Sequence, residues 1–263
     1  MSPLGRKALT IAAIAFFAAA AHGQDTGHVP PPPPQSPMPD LPHAEMMKTM
    51  DMDDSRPVGK VLFDQFEGRT HDGDSAAAWD AQAWYGGDYD KLWGKTEGDH
   101  TNGHTAARAE ALWDHVVSRW WSTQTGARLD ISEGGPNRGW AAFGVQGLAP
   151  YWFEVEGTLY IGAEGRTALR LEAKYELLLT QRWVLQPDIE LNAYGKSDPQ
   201  ALIGSGLSDA QAGLRLRYEI RRELAPYAGV LWNRRFGDTG RLVRAQGGDA
   251  NELSFVAGIR FWF

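Results

Sequence analysis

The chain has 263 residues, a net charge of −7, no cysteine and a mean hydropathy of −0.41. That length suits one large domain, the acidic balance gives no reason to expect a nucleic-acid partner, and no disulfide can hold the fold. Beyond the N-terminus no run of 18 apolar residues occurs, so a spanning helix is not expected, yet a membrane β-barrel with a polar lumen would give the same hydropathy.

Residues 1–23 read as a secretory signal. Arg6 and Lys7 give the positive start, Ala8 to Ala21 the apolar core, and Ala19 to Ala21 a small-residue cleavage zone. Residues 24–57 are predicted to be a disordered arm. Its first part, VPPPPPQSPMPDLP, can enter neither a helix nor a central strand and is an extended spacer. HAEMMKTMDMDD comes next. All six methionines lie within the first 52 residues, although a hydrophobic core normally uses some. Thioethers are soft ligands that suit Cu(I), and imidazole accepts Cu(I) or Cu(II). Neither needs a preformed fold. His28, Met38, His43, Met46, Met47, Met50 and Met52 are therefore the predicted copper ligands, with Cu(I) preferred and Cu(II) accepted. The carboxylates of Glu45, Asp51, Asp53 and Asp54 would draw cations to them.

From Val58 to Phe263 the chain alternates at period two in segments long enough to cross a membrane as tilted strands. In ALRLEAKYELLL, Leu169, Leu171, Ala173, Tyr175 and Leu177 oppose Arg170, Glu172, Lys174 and Glu176. In LRLRYEI, Leu214, Leu216 and Tyr218 oppose Arg215, Arg217 and Glu219. A helix would scatter these charges around its whole circumference, so strand is the better reading.

Twelve such segments are counted: 59–69, 77–86, 90–98, 106–117, 120–131, 139–149, 151–163, 166–180, 182–194, 210–220, 225–236 and 251–263. The first two alternate weakly, which leaves ten strands as an alternative. Every second connection is short: GGD, SR, AP, TQ and RREL. Apart from the short EG, the others are longer and polar, among them THDGDSA, GDHTNGHT and GKSDPQALIGSGLSD. Short turns at one end and long loops at the other predict an antiparallel, up-and-down outer-membrane barrel with both termini on the periplasmic side. Trp120, Trp121, Tyr151, Trp152 and Trp183, beside the tight turns, form an interfacial girdle. Phe263 ends a closing strand whose apolar face meets lipid, the terminal aromatic typical of such barrels.

Further candidate metal ligands lie on the barrel. His71, His100 and His104 are placed in outward loops, the last two four residues apart. Asp64, Glu67 and Glu97 sit in the early strands, and Glu154 and Glu156 face the lumen. The lumenal charges carry both signs and are expected to pair between neighbouring strands, against a sharper reading of a carboxylate-lined cation path. No GxSxG occurs, His115 and Ser118 fall on opposite faces of one strand, and an enzyme is not expected.

Beside these features, WYGGDYDKLWGKTEG (84–98), GVQGLAPYWFEVEGTLYIG (144–162), YELLLTQRWVLQPDIELNAYG (175–195), GLRLRYEIRRELAPYAGV (213–230) and the final GIRFWF resemble the copper resistance protein B family of Gram-negative outer membranes. The resemblance covers Val58 to Phe263. It implies copper tolerance, a variable Met/His-rich segment ahead of the barrel, copper ions and outer-membrane lipid as partners, and a periplasmic copper-binding protein or multicopper oxidase as the candidate protein partner. Copper would be sequestered by the arm or passed out through the barrel. A general porin, or a structural barrel without a metal role, is the alternative.

Overall fold

A computed structural model describes Glu45 and residues 57–72, 74–101 and 103–263. The expected signal segment and most of the arm, including His28, Met38, His43, Met46, Met47, Met50 and Met52, lie outside the described residues.

The strands are β1 (Val58–His71), β2 (Asp74–Gly86), β3 (Asp90–Thr101), β4 (His104–Val116), β5 (Trp121–Ser132), β6 (Arg138–Ala149), β7 (Phe153–Gly162), β8 (Thr167–Lys174, resumed at Leu177–Leu178), β9 (Trp183–Tyr194), β10 (Gly206–Tyr218), β11 (Leu224–Arg235) and β12 (Asn251–Trp262). Each pairs antiparallel with its neighbours in sequence, and β1 pairs with β12. The twelve strands thus form a closed barrel, and the count matches the sequence reading. Phe263 takes part in closure: its amide donates to the Val61 carbonyl and its carbonyl accepts from the Val61 amide.

The molecule is inside-out relative to a soluble protein. Phe66, Leu92, Phe143 and Phe255 are exposed on the outer face, while Arg217, Gln124, Thr158 and Asp114 are among the most deeply buried side chains. Apolar residues face outward and polar ones inward, as a barrel in lipid requires. One small apolar cluster, Leu112, Trp140, Ala142, Tyr160 and Ala168, lies inside.

Three local features depart from the sequence reading. The connections after β1 and β3 are two residues long, because His71 pairs with Asp74 and Thr101 with His104. Asp72 and Gly103 in these turns take the left-handed conformation, with φ of 45° and 81°. His71, His100 and His104 therefore stand on strands and not in long loops. At this end only the 195–205 and 236–250 connections are long, and the latter holds a helix, α1 (Gly237–Ala245).

The second departure is a bulge in β1 between Phe63 and Gln65, which turns both Asp64 and Gln65 inward and shifts the parity of the rest of the strand. The third is the interruption of β8 at Tyr175–Glu176. Its partner there is Pro187, which accepts from the Tyr175 amide but has no N–H to return.

Gly258 faces the lumen opposite Glu67 at the β1–β12 seam, where an added Cβ would lie 2.5 Å from the Phe66 carbonyl oxygen and 2.7 Å from the Tyr227 hydroxyl. Gly68, nearby on β1, has nothing within 4 Å of such a Cβ. Gly258→Val should therefore abolish the compact, heat-modifiable band of detergent-folded protein, whereas Gly68→Val should keep it. Electrophoresis of unheated and heated samples reads the difference.

Candidate functional site

The lumen is where the functional side chains converge, and most of them are charged. The pairing runs across the interior as well as along the sheet, beyond the neighbour-strand pairing expected from sequence. Glu97 on β3 binds Arg170 on β8 at 2.7 Å and Arg108 on β4 at 2.6 Å. Arg170 also holds Glu190 at 2.9 Å. Lys95 on β3 reaches Glu156 on β7 at 2.6 Å. Asp64 on β1 meets Arg260 on β12 at 2.8 Å and Lys174 on β8 at 3.4 Å.

A second node fastens the seam. Arg215 on β10 contacts Glu67 at 3.1 Å and Asp188 at 2.6 Å, the Tyr227 hydroxyl donates to Glu67 at 2.9 Å, and Arg69 donates to Glu67 at 2.8 Å. Lumenal glycines clear the space. A Cβ on Gly213 would lie 2.4 Å from Asp188, and one on Gly229 would meet Arg215. Removing one partner from so buried a pair costs about 3–5 kcal/mol, because the other charge is left uncompensated.

These pairs divide the lumen. One chamber of about 590 Å³ lies toward the short-turn end, its walls including Trp84, Trp93, Trp120 and Glu154. Another of about 820 Å³ lies toward the other end, walled in part by Trp140, Tyr194, Asp198 and residues 200–203. Asp80, Glu97, Arg108, Arg170, Glu172 and Lys174 line both, so they form the partition.

The candidate ligands on the barrel are distributed rather than gathered. Asp64, Glu67, Glu97 and Glu156 are each engaged by a cationic side chain. Glu154 faces the short-turn chamber and has no ion pair among the described residues. His100 and His104 cannot share an ion from where they stand. Their partners in the β3–β4 register are Thr105 and Thr101, and the two side chains fall on opposite faces of the sheet. His100 Nδ1 contacts the Thr105 hydroxyl at 3.0 Å, while His104 lines the larger chamber. His71 Nδ1 donates to the Leu253 carbonyl at 2.9 Å, with Asp72 at 3.5 Å from Nε2. Among the described residues, no three His, Cys, Asp or Glu side chains are grouped to hold a metal. His115 lies on the outer face and bonds Asp90 at 2.8 Å, which also accepts from Trp113.

Sequence reasoning missed Asp80, Arg108, Asp114 and Arg128. They lie in β2, β4 and β5, where alanine on the outer face blurs the alternation. Their even numbering along each strand was the available signal. Asp114 shows why it matters, since its carboxylate accepts from Ser122, Gln124 and Gln146 on β5 and β6.

A closed ring of antiparallel strands with an apolar outside and a charged, internally paired lumen defines an outer-membrane β-barrel. The match of residues 57–263 to the family model "Copper resistance protein B precursor (CopB)" then shows that the chain belongs to the copper resistance protein B family. A copper resistance protein B homolog of Pseudomonas syringae pv. tomato is 50% identical over 201 residues, covering 76% of this chain and 68% of that protein. Copper resistance protein B of Escherichia coli is 46% identical over 204 residues, covering 77% and 69%. Among solved structures, the NanC porin matches in fold with a TM-score of 0.52 at 13% identity, covering 78% of this chain and 99% of that one.

At the long-loop end, segment 195–205 is tied down by one carboxylate. Asp198 accepts from Arg138 at 2.8 Å, has Arg166 at 3.6 Å, and exchanges backbone hydrogen bonds with Ile203. The Arg138 hydrogen bond holds the Asp198 carboxyl below its ordinary range. Its folded pKa is thus lower than its unfolded one, so its stabilisation is full above the unfolded value of about 3.9 and fades as pH falls through the depressed one. Amide exchange at Ala201 and Ile203 should stay slow from neutral pH to about 4, once corrected for the intrinsic rate, and quicken below that. In Asp198→Asn it should be fast throughout, and equal protection in the variant would contradict the tie.

Proposed function

We propose that this protein is the outer-membrane stage of copper tolerance, with a copper-collecting arm joined to a gated barrel. Family membership supports the copper role, and the charged partition between two lumenal chambers carries the gated reading. The arm, residues 24–57, binds copper through His28, Met38, His43, Met46, Met47, Met50 and Met52. Cu(I) is favoured by thioethers, and Cu(II) is accepted by the imidazoles. Residues 1–23 serve as the export signal.

The short-turn end is periplasmic, as in bacterial outer-membrane barrels. β1 begins at that end with Val58, so the arm is attached on the periplasmic side. Copper held there is kept at the membrane or enters the lumen, where it meets Glu154 first and then the partition. A periplasmic copper-binding protein or multicopper oxidase is the class of partner that would exchange copper with the arm. The protein performs no catalysis in this reading. A general porin is the second reading, and the interior opposes it: paired charges crossing the lumen obstruct the wide aqueous path that non-selective diffusion needs.

A peptide of residues 28–52 titrated against a Cu(I) chelator tests the arm. Replacing Met46, Met47, Met50 and Met52 by Leu should weaken Cu(I) affinity by at least about tenfold, since each lost thioether removes a soft ligand. Cu(II) binding should change less. Unaltered Cu(I) affinity would sink the assignment. In cells, deletion of residues 24–57 should lower copper tolerance while leaving the barrel folded.

A further inference from the structure

The partition is fastened unevenly. Arg170 and Arg108 grip Glu97 through planar guanidinium groups at 2.7 and 2.6 Å. Lys174 is held differently. Its ammonium sits among three carboxylates from three strands: Glu172 on its own strand at 2.7 Å, Asp64 on β1 at 3.4 Å and Asp80 on β2 at 3.6 Å. Only the first is a firm hydrogen-bond distance. Asp80 has no other ion pair among the described residues, and Asp64 shares its charge with Arg260. Glu172 also has Arg170 at 3.6 Å. Over the ion pairs linked to this group, six carboxylates (Asp64, Asp80, Glu97, Asp130, Glu172 and Glu190) face five cations (Arg108, Arg128, Arg170, Lys174 and Arg260), so one negative charge is in excess.

Two further observations concern the freedom of Lys174. It is the last residue of the paired part of β8, immediately before the interruption opposite Pro187, so the wall beneath it is the least fastened part of that strand. A flexible four-carbon stem bearing a compact point charge moves more readily than a planar, pre-organised guanidinium. Glu154 also stands next to it. The two residues are partners in the β7–β8 register, and Glu154 has no ion pair among the described residues while lining the short-turn chamber.

We propose that Lys174 is the gate of the lumen: its ammonium is a tethered cation seated among Asp64, Asp80 and Glu172, and it swings to Glu154 when a divalent cation takes the seat. This rests on the reading that ions enter the barrel. A divalent ion in place of the singly charged Lys174 removes that excess. The departing ammonium finds a counter-charge in Glu154. An all-oxygen seat prefers Cu(II) to Cu(I), because carboxylates are hard ligands.

The test is the conductance of the purified full-length protein in planar bilayers, in potassium chloride and then with Cu(II) added. Lys174→Met keeps the stem and removes the charge. It should conduct potassium several-fold better than the wild type and be more cation-selective. A folded Lys174→Met barrel with wild-type conductance and selectivity would overturn the gate. Glu154→Gln lies outside the partition and decides the matter if Lys174→Met does not fold. It should reduce the Cu(II)-evoked rise in conductance, because the ammonium loses its second seat, and an unchanged rise would equally overturn the proposal. Neither arm uses copper tolerance as its readout. Failure here therefore leaves copper binding by the arm untouched, and failure of the peptide titration leaves the gate untouched.

Discussion

The Glu97–Arg170 pair joins strands five places apart in a ring of twelve, and the interior is organised around it. A barrel in lipid can turn its apolar side chains outward without cost, but it must dispose of the polar ones in a confined lumen. Charges there are neutralised where they stand or they are expensive. Glu97 is flanked by two arginines, Arg170 by three glutamates, and Lys174 by three carboxylates. The interior behaves as a polar core. Its pairs link opposite walls between the two chambers, and in the proposed function they restrict passage as a by-product of satisfying their own charges.

The same requirement explains where glycine is placed. Gly213, Gly229 and Gly258 face inward on β10, β11 and β12, where any larger side chain would strike Asp188, Arg215, Tyr227 or the Phe66 carbonyl. The node they make room for binds β1 to β10 and β11, across the seam where the first and last strands must find each other. Backbone pairing closes the ring, and the buried Glu67–Arg215 contact favours this register, since a one-residue slip would turn Glu67 toward lipid.

Much of this was legible in the sequence, for a physical reason. Alternation over Thr167–Lys174 and Leu214–Tyr218 is strong because both faces are demanding: lipid excludes charge and the lumen here uses it. The closing strand and the lumenal role of Arg215, Arg217 and Glu172 came from period two, and the strand count from period two together with the short and long connections. The features that were not legible depend on distance through space or on a single inserted residue. The bulge at Asp64–Gln65 shifts parity without any glycine to mark it. The break at Tyr175 arises from Pro187 on the adjacent strand, so no window within β8 reveals it. Pairs such as Asp64–Lys174 need the curvature of the barrel before they can be seen. The hairpins at 72–73 and 102–103 are a different case. Their Asp-Gly and Asn-Gly dipeptides were present as signals, and the surrounding polar residues masked them as loop.

In the proposed function, two chambers meeting at a wall of paired charges would let a copper-tolerance barrel admit an ion without leaving an open hole in the outer membrane. The wall is the central claim, and the natural absence of cysteine makes it accessible to labelling. Gln82 lines the short-turn chamber and Gln211 the other. Single-cysteine variants Gln82→Cys and Gln211→Cys, reconstituted in one orientation in liposomes, would be exposed to a charged maleimide added to one side only. A partition that is closed at rest lets the reagent label one of the two positions and spares the other, with the pattern reversed from the opposite side. Labelling of both positions from the same side would contradict it.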